Sequence, residues 1–333
     1  MTKSSGPNCG ATPPGHRESF VKETALEVGF SLVGITSLDP SPESNSRFDR
    51  WIQDGRHGDM RYLSGGADKR HDPRRLLDGA QSAISVAVNY YSKSKVKRNQ
   101  SAADEGKGEV AIYAHGRDYH TVLARMLESL DRALKSKFPG MESRAVVDTQ
   151  PISERDLAIR AGIAWLGKNT CVISPEYGSW IFLGELITNL ALQVDEPLES
   201  LCGSCTLCME ACPTGAIDAP FVVDANRCIS YLTVEKRGEI PKDHHKSIGT
   251  RVFGCDTCQR VCPFNAAARE SVLFEARDVN PIIDLPLTDL VNIGNAKFRA
   301  ITRDSAISRC KPEGIRRNAR IAAANVAGGS KRD

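Results

Sequence analysis

The run from Cys202 to Pro213 constrains this chain more than any other stretch, because its cysteines recur as C-x2-C-x2-C-x3-C-P. Three thiolates so closely spaced wrap one cubane iron–sulfur cluster, while the fourth, held next to a proline, points away and ligates a second. A partial repeat follows at Cys255, Cys258 and Cys262-Pro263, spaced C-x2-C-x3-C-P. It lacks an adjacent first cysteine, but Cys228 lies upstream with 26 residues between it and Cys255, and a looped insertion can bring it back. The pattern assigns one cluster to Cys202, Cys205, Cys208 and Cys262, and the other to Cys228, Cys255, Cys258 and Cys212. Zinc also uses C-x2-C pairs, but a four-ligand zinc site has no use for C-x3-C-P at the end of both halves. Structural disulfides fit still less well in a chain without a secretion signal. The motif therefore reads as a bacterial two-cluster ferredoxin-like domain, an electron relay whose halves interlock.

Such a domain needs only about 60–80 residues to shield its clusters when it stands alone. This chain has 333 residues, enough for about two domains, and most of the surplus precedes the cysteines. No apolar run approaches the roughly 20 residues of a membrane span, so no membrane partner is expected. Residues 1–16 are rich in Ser, Gly and Pro without an apolar core and read as a disordered leader rather than a signal peptide. Cluster thiolates without an export signal place the protein in a reducing cytoplasm. The net charge of +3 hides an asymmetry, with +7 from residue 297 onward against −4 for residues 1–296. A basic tail of this kind either meets phosphates or is a solvated helix, and composition does not choose between them.

Hydrophobic periodicity places helices over residues 17–30, 47–52, 119–138 and 152–161, and strands over 31–38, 83–90, 144–147, 171–173 and 180–186. The charged stretch 92–109 has no periodicity and reads as a mobile loop. The expected fold class is α+β: a mixed α/β domain over 17–195, the two-cluster domain over 196–270, and a short helical basic tail over 271–333. The first domain must hold a redox centre or a docking surface, yet the usual signatures are missing. There is no G-x-G-x-x-G after a strand and no G-x-x-x-x-G-K-[ST]. Asp118-Tyr119-His120 begins the corrinoid motif D-x-H-x-x-G, but Leu123 stands where its glycine belongs. The residues alone define an iron–sulfur redox protein with an unidentified centre.

Several blocks carry a resemblance that goes further. They are 116–120 (Gly-Arg-Asp-Tyr-His), 147–155 (Val-Asp-Thr-Gln-Pro-Ile-Ser-Glu-Arg), 161–169 (Ala-Gly-Ile-Ala-Trp-Leu-Gly-Lys-Asn), 175–179, 227–233 and 253–259. In this order, from about residue 17 to 325, the chain resembles the epoxyqueuosine reductases. That resemblance implies a nitroreductase-like first domain binding base-off cobalamin beside two [4Fe–4S] clusters. It also implies reduction of the epoxide of epoxyqueuosine at the wobble position of a tRNA anticodon, the last step of queuosine synthesis. A low-potential electron donor and a monomer with an open tRNA face go with it. Without a protein imidazole on cobalt, the nucleophilic Co(I) state is favoured. The resemblance makes Asp148, at the end of an expected strand, the proton donor, a role that near neutral pH calls for a raised pKa. Capping of the following helix is the ordinary alternative for such an aspartate. The resemblance also implies corrinoid contacts from Arg70, Val172, Leu183, Ser230, Cys255 and Asp256. Arg155 would bind substrate or cofactor, or else form a salt bridge, and Arg237 would meet tRNA phosphate. Cys9, Cys171 and Cys310 lie outside the motif and are expected as free thiols. His115 and Ala111 depart from the family's usual residues near the 116–120 block, and the segment after Arg320 is shorter than in many relatives, which continue into further helices. Three rivals remain: a reductive dehalogenase-like cobalamin enzyme, a non-catalytic two-cluster electron carrier, and a tRNA-binding protein whose clusters are structural.

Overall fold

The computed structural model describes residues 15–274 and 279–329. The expected leader and Cys9 lie outside the described residues, except for Gly15 and His16, which begin the first helix. That helix, α1 (His16–Val28), ends at Gly29, whose φ of 106° turns the chain back toward β1 (Leu32–Ser37). Next, α2 (Pro42–Gln53) starts ahead of the expected 47–52, because Pro42 at its first turn already has a helical φ. A short α3 (Ala67–His71) precedes β2 (Ser82–Asn89), which is buried along its whole length.

The expectation of a mobile loop over 92–109 is corrected, since α4 (Lys93–Ser101) forms there. Its buried face is polar: Lys95 Nζ donates to the Phe274 carbonyl at 3.1 Å and Asn99 Oδ1 accepts the Val110 N–H at 2.9 Å. Anchoring through polar groups leaves no hydrophobic period to read. After β3 (Glu109–Val110) comes α5 (Tyr119–Lys137), capped by the Asp118 side chain, which accepts the His120 N–H. Then follow β4 (Ser143–Val146), α6 (Glu154–Arg160), β5 (Trp165–Leu166), β6 (Val172–Ile173) and β7 (Ile181–Thr188).

Strands β1, β2, β7 and β4 form, in that order, an antiparallel sheet. Its register sets Gly34, Ser85, Glu185 and Val146 in one row across the four strands. On that face lies α6: a Cβ on Gly34 would stand 2.0 Å from the Ala161 carbonyl oxygen, so only glycine lets the helix end come this close. The opposite face carries α5, whose Leu123, Leu127, Leu130 and Leu134 are fully buried. A Cβ on Gly184 would touch Leu127 at 3.3 Å there.

The cysteine-rich segment holds α7 (Leu207–Glu210), α8 (Ile229–Val234), α9 (His245–Ile248), β8 (Arg251–Phe253), α10 (Thr257–Arg260) and α11 (Pro263–Ala266). It is fastened to the preceding residues, with β8 pairing in parallel with β3. Gln259 Nε2 donates to the Ser179 carbonyl at 3.0 Å and Lys168 Nζ to the Gly203 and Cys205 carbonyls at 2.7 and 2.8 Å.

The C-terminal helices α12 (Leu287–Val291), α13 (Asn295–Ile301) and α14 (Lys311–Gly329) share a core with Val110, Val252 and Phe253. The expected basic tail is therefore partly structural. Buried Arg317 donates to the carbonyls of Leu232, Lys236 and Gly238, and Asn318 Nδ2 donates to those of Thr233 and Val252. None of the described helices is long and apolar enough to cross a membrane.

Candidate active site and cluster-binding thiols

The two cysteine half-motifs fold alike. In each, a short helix follows the first thiols: α7 carries Cys208 and α10 carries Cys258. Cys228 and Cys262 sit at the N-cap positions of α8 and α11. The two halves approach one another: Cys262 is near enough to Cys202 and Cys205 to feel their charge, and Cys258 likewise feels Cys212. Cys228 faces Cys255 and Cys258. Burial first, then neighbouring thiols, push Cys208 up to about 11 and Cys228 to about 12. Cys212 is the exception. Burial pushes it up, but N–H groups of Thr214, Ala216 and Ile217 outweigh this and hold it below the ordinary thiol range. Crowded, desolvated thiols of this kind are poor thiolates by themselves, and a cationic iron cluster is what would neutralise them. The free Cys258 thiol donates a hydrogen bond to Cys171, while Cys310 is buried and donates to the Thr233 carbonyl.

Apart from the thiols, titratable side chains of both signs gather in a recess around Asp148. Asp148 follows β4 in a tight turn with φ 51°, a left-handed conformation uncommon outside glycine, asparagine and aspartate. Its side chain is 57 % exposed, yet Tyr119, His120, Glu154, Tyr62 and Arg309 all stand close enough to act on it or be acted on by it. His120 Nε2 meets Asp148 Oδ2 at 3.0 Å and its Nδ1 meets Asp118 Oδ1 at 2.7 Å. Partial burial disfavours the imidazolium, but the two carboxylates outweigh it and raise His120 to about 9. The same contact corrects the expectation of a raised Asp148 pKa. The hydrogen bond from His120 holds this carboxyl below its ordinary value against the effect of burial. At neutral pH the proton of the pair is therefore on His120. Nor does Asp148 cap α6, whose N-cap is Ser153; instead Asp148 gives its backbone N–H to Glu154 Oε1 at 2.6 Å.

Tyr113 links the recess to the cluster loops, feeling the charge of both Asp256 and Asp148. Asp256 is buried before α10, where it accepts the Ile112 N–H at 2.8 Å, and burial raises it to about 6. Val172 and the partly exposed Leu183 pack in one apolar group. Ser230 lies in the first turn of α8, next to Cys228, and its carbonyl faces the Thr233 hydroxyl, which accepts the Gly254 N–H ahead of Cys255. Arg70 stacks over Phe48 at 5.0 Å and donates from Nη1 to the Ile152 carbonyl at 2.9 Å, leaving its buried Nε without a partner.

Two other arginines are committed within the chain. Arg155 donates to the Thr170 carbonyl at 2.7 Å. Arg237 holds the carbonyls of Val234, Arg309 and Cys310, which ties α8 to the C-terminal segment. His115, buried against the Val110 carbonyl, is lowered to about 4 by desolvation, and Ala111 is buried in backbone contact with Phe253.

Sequence reading missed His120 as a member of this site, having weighed it only as a failed corrinoid ligand. It also missed Glu154 and Tyr119. The signal available was the 116–120 block itself, where an aspartate at the helix cap and a histidine two residues on are set to meet.

Family models and solved structures show what the chain is similar to. A 4Fe–4S double cluster binding domain matches residues 201–265, and a domain described as epoxyqueuosine reductase QueG matches residues 70–149. An epoxyqueuosine reductase of Synechocystis is 43 % identical over 296 residues, covering 88 % of this chain and 98 % of its own length. That of Escherichia coli is 39 % identical, covering 92 % of this chain and 80 % of its own length. A Bacillus subtilis epoxyqueuosine reductase, solved with an aspartate-bearing catalytic loop swung out of its active site, superposes with a TM-score of 0.84 at 33 % identity, over 95 % of this chain and 82 % of that one. Another, solved with an epoxyqueuosine-modified tRNA-Tyr stem loop, gives 0.81 at 34 % identity, over the same 95 % and 82 %. At this identity and coverage, the chain belongs to the epoxyqueuosine reductase family.

Proposed function

We propose that this protein reduces epoxyqueuosine to queuosine at the wobble position of tRNA anticodons, using two [4Fe–4S] clusters and bound cobalamin. The observation that carries the reading is the pairing, in a member of this family, of an open carboxylate–imidazolium contact with eight interlocked thiols. The reaction takes an epoxide, two electrons and two protons to an alkene and water. Clusters held by Cys202, Cys205, Cys208 and Cys262, and by Cys212, Cys228, Cys255 and Cys258, supply electrons singly. Cobalamin, when bound, supplies a centre that collects both electrons and acts as a nucleophile toward the epoxide.

The residues present fit that cofactor. Arg70 has a buried Nε in need of an acceptor, which a corrin amide or the nucleotide-loop phosphate would provide. Val172 and Leu183 offer apolar contact, and Ser230, Cys255 and Asp256 would contribute from the cluster side. Both ring nitrogens of His120 are held by carboxylates, so this imidazole is committed to the acid–base pair rather than to the cofactor.

In this reading Asp148 delivers the first proton to the oxygen released as the epoxide opens. His120 is its source, passing the proton from Nε2 to Asp148 Oδ2, while Asp118 on Nδ1 fixes the ring orientation. Shared proton custody replaces the raised carboxyl pKa that a lone aspartate would need. The tRNA would approach over Tyr62 and Arg309, which stack at 5.3 Å beside the recess, with Arg237 behind them. A cytoplasmic monomer served by a low-potential donor completes the proposal.

The test is anaerobic incubation of cluster-reconstituted protein with epoxyqueuosine-containing tRNA, with and without cobalamin, followed by the mass of the modified nucleoside. Queuosine formed only with cobalamin supports the reading. No queuosine from fully loaded protein overturns it and leaves an electron carrier.

A further inference from the structure

Under the Asp148 turn lies a second pair of acids. Glu185 is fully buried in the middle of β7, in the row that faces α6, between Ser85 and Val146. Ser85 Oγ donates to Glu185 Oε1 at 3.4 Å, while the buried Oε2 has no N–H or hydroxyl to accept from. The group it faces is another acid, Glu154, at the start of α6. Two carboxylates can meet in a buried place only if one carries a proton that the other accepts. Burial pushes both up, Glu154 to about 7 and Glu185 well above its ordinary value. The charged groups acting on Glu154 from other elements are Asp148 and His120, and Arg70 stands near it from α3. None of these bonds to Glu185.

Glu154 also reaches the turn above, because its Oε1 takes the Asp148 N–H at 2.6 Å. That bond falls on a residue in the left-handed region, a conformation that few residues other than glycine, asparagine and aspartate adopt. A turn of this kind stays in place only while its surroundings hold it.

We propose that Glu185 is a positioning residue: its acid O–H donates to Glu154, Glu154 holds the Asp148 N–H, and this relay keeps the Asp148 turn facing the recess. The role of the turn rests on the epoxide-reducing reading, but the relay itself can be tested without turnover. Glu185→Gln preserves a neutral donor of the same shape, whereas Glu185→Leu removes the donor and keeps the bulk.

Hydrogen exchange of the peptide spanning 147–153, read by mass spectrometry on the cluster-containing protein, reports on the turn. Wild type and Glu185→Gln are expected to exchange at similar rates. Glu185→Leu is expected to exchange about tenfold faster, as loss of one buried hydrogen bond implies, and to lower kcat more than it changes KM. Leucine exchanging as slowly as wild type would overturn the proposal, as would glutamine exchanging as fast as leucine, since a charged carboxylate would then be what holds the turn. Should Glu185→Leu fail to fold, the infrared difference between wild type and Glu185→Gln decides. A protonated carboxyl C=O band in wild type at pH 8 is expected, and its absence refutes the relay.

Discussion

The cluster thiols and the Asp148 recess are built by opposite means. Seven of the eight motif cysteines fall in two short runs, and local turns and one-turn helices bring them together. The recess draws on the end of β4, the first turn of α5, the start of α6 and the middle of β7, which only the sheet topology makes neighbours. Protonation differs as well. Asp148, open to solvent and paired with an imidazolium, is held below its ordinary pKa, whereas Glu185, buried against another acid, is pushed well above its own. The same carboxyl chemistry thus serves as an open relay in one place and a closed latch in the other, and surroundings alone decide which.

The largest expected effect comes from separating motif cysteines from their neighbour outside the motif. Cys258→Ala is expected to lose one cluster, with bound iron falling by about half and turnover by more than about a thousandfold, because electrons no longer reach the active centre. Cys171→Ala, which removes only the sulfur that accepts a hydrogen bond from Cys258, is expected to keep both clusters. Iron analysis with electron paramagnetic resonance of the reduced proteins checks this, and loss of a cluster from Cys171→Ala would redraw the ligand set.

His120→Gln probes the recess and comes next. It keeps hydrogen-bonding capacity but holds no proton to give, and a drop of about 10²-fold or more in the chemical step is expected. The sign of the pH dependence follows from the two shifts. His120, raised from 6.5 to about 9, contributes its pairing fully below pH 6.5 and loses it as pH rises through about 9. Asp148, lowered from 3.8, contributes above that value and loses its part as pH falls below it. Wild-type single-turnover rates should therefore decline through about pH 9, and that limb should vanish in His120→Gln. An unchanged limb would assign it to another group.

Smaller effects should come from the scaffold. Leu127→Ala, under the sheet and distant from the thiols, is expected to cost about 2–5 kcal/mol by denaturant unfolding while iron content stays at the wild-type value. Arg237→Ala is expected to weaken tRNA binding less than threefold or so, since the side chain holds carbonyls within the chain. A steep loss of affinity with a reduced salt dependence would restore it as a phosphate contact.

How much of this could be read from residues alone follows the same divide. Cysteine spacing carries its own geometry, so the double-cluster domain was legible. The long helix at 119–137 and the strands at 82–89 and 181–188 were legible too, because buried elements of that length display their period. Asp148 came from resemblance, and the resemblance said nothing of its charge state, which depends on a histidine 28 positions away. Glu185 was invisible because a strand reading treats a lone glutamate as solvent-facing, and here the register turns it inward. Helix α4 was missed for a related reason: Lys95 and Asn99 do the work usually done by apolar side chains. Sequence thus displays centres whose ligands are local, and conceals those in which tertiary contacts invert what a residue type usually does.

The central claim is that the Asp148–His120 pair delivers the proton for epoxide reduction at a centre fed by the clusters. Its most direct test is single turnover of epoxyqueuosine-containing tRNA by wild type and Asp148→Asn, both with full iron content and bound cobalamin, read as the mass of the nucleoside. The account predicts queuosine from wild type and essentially none from Asp148→Asn on the same timescale. Equal queuosine from both would contradict it and remove Asp148 from the chemistry.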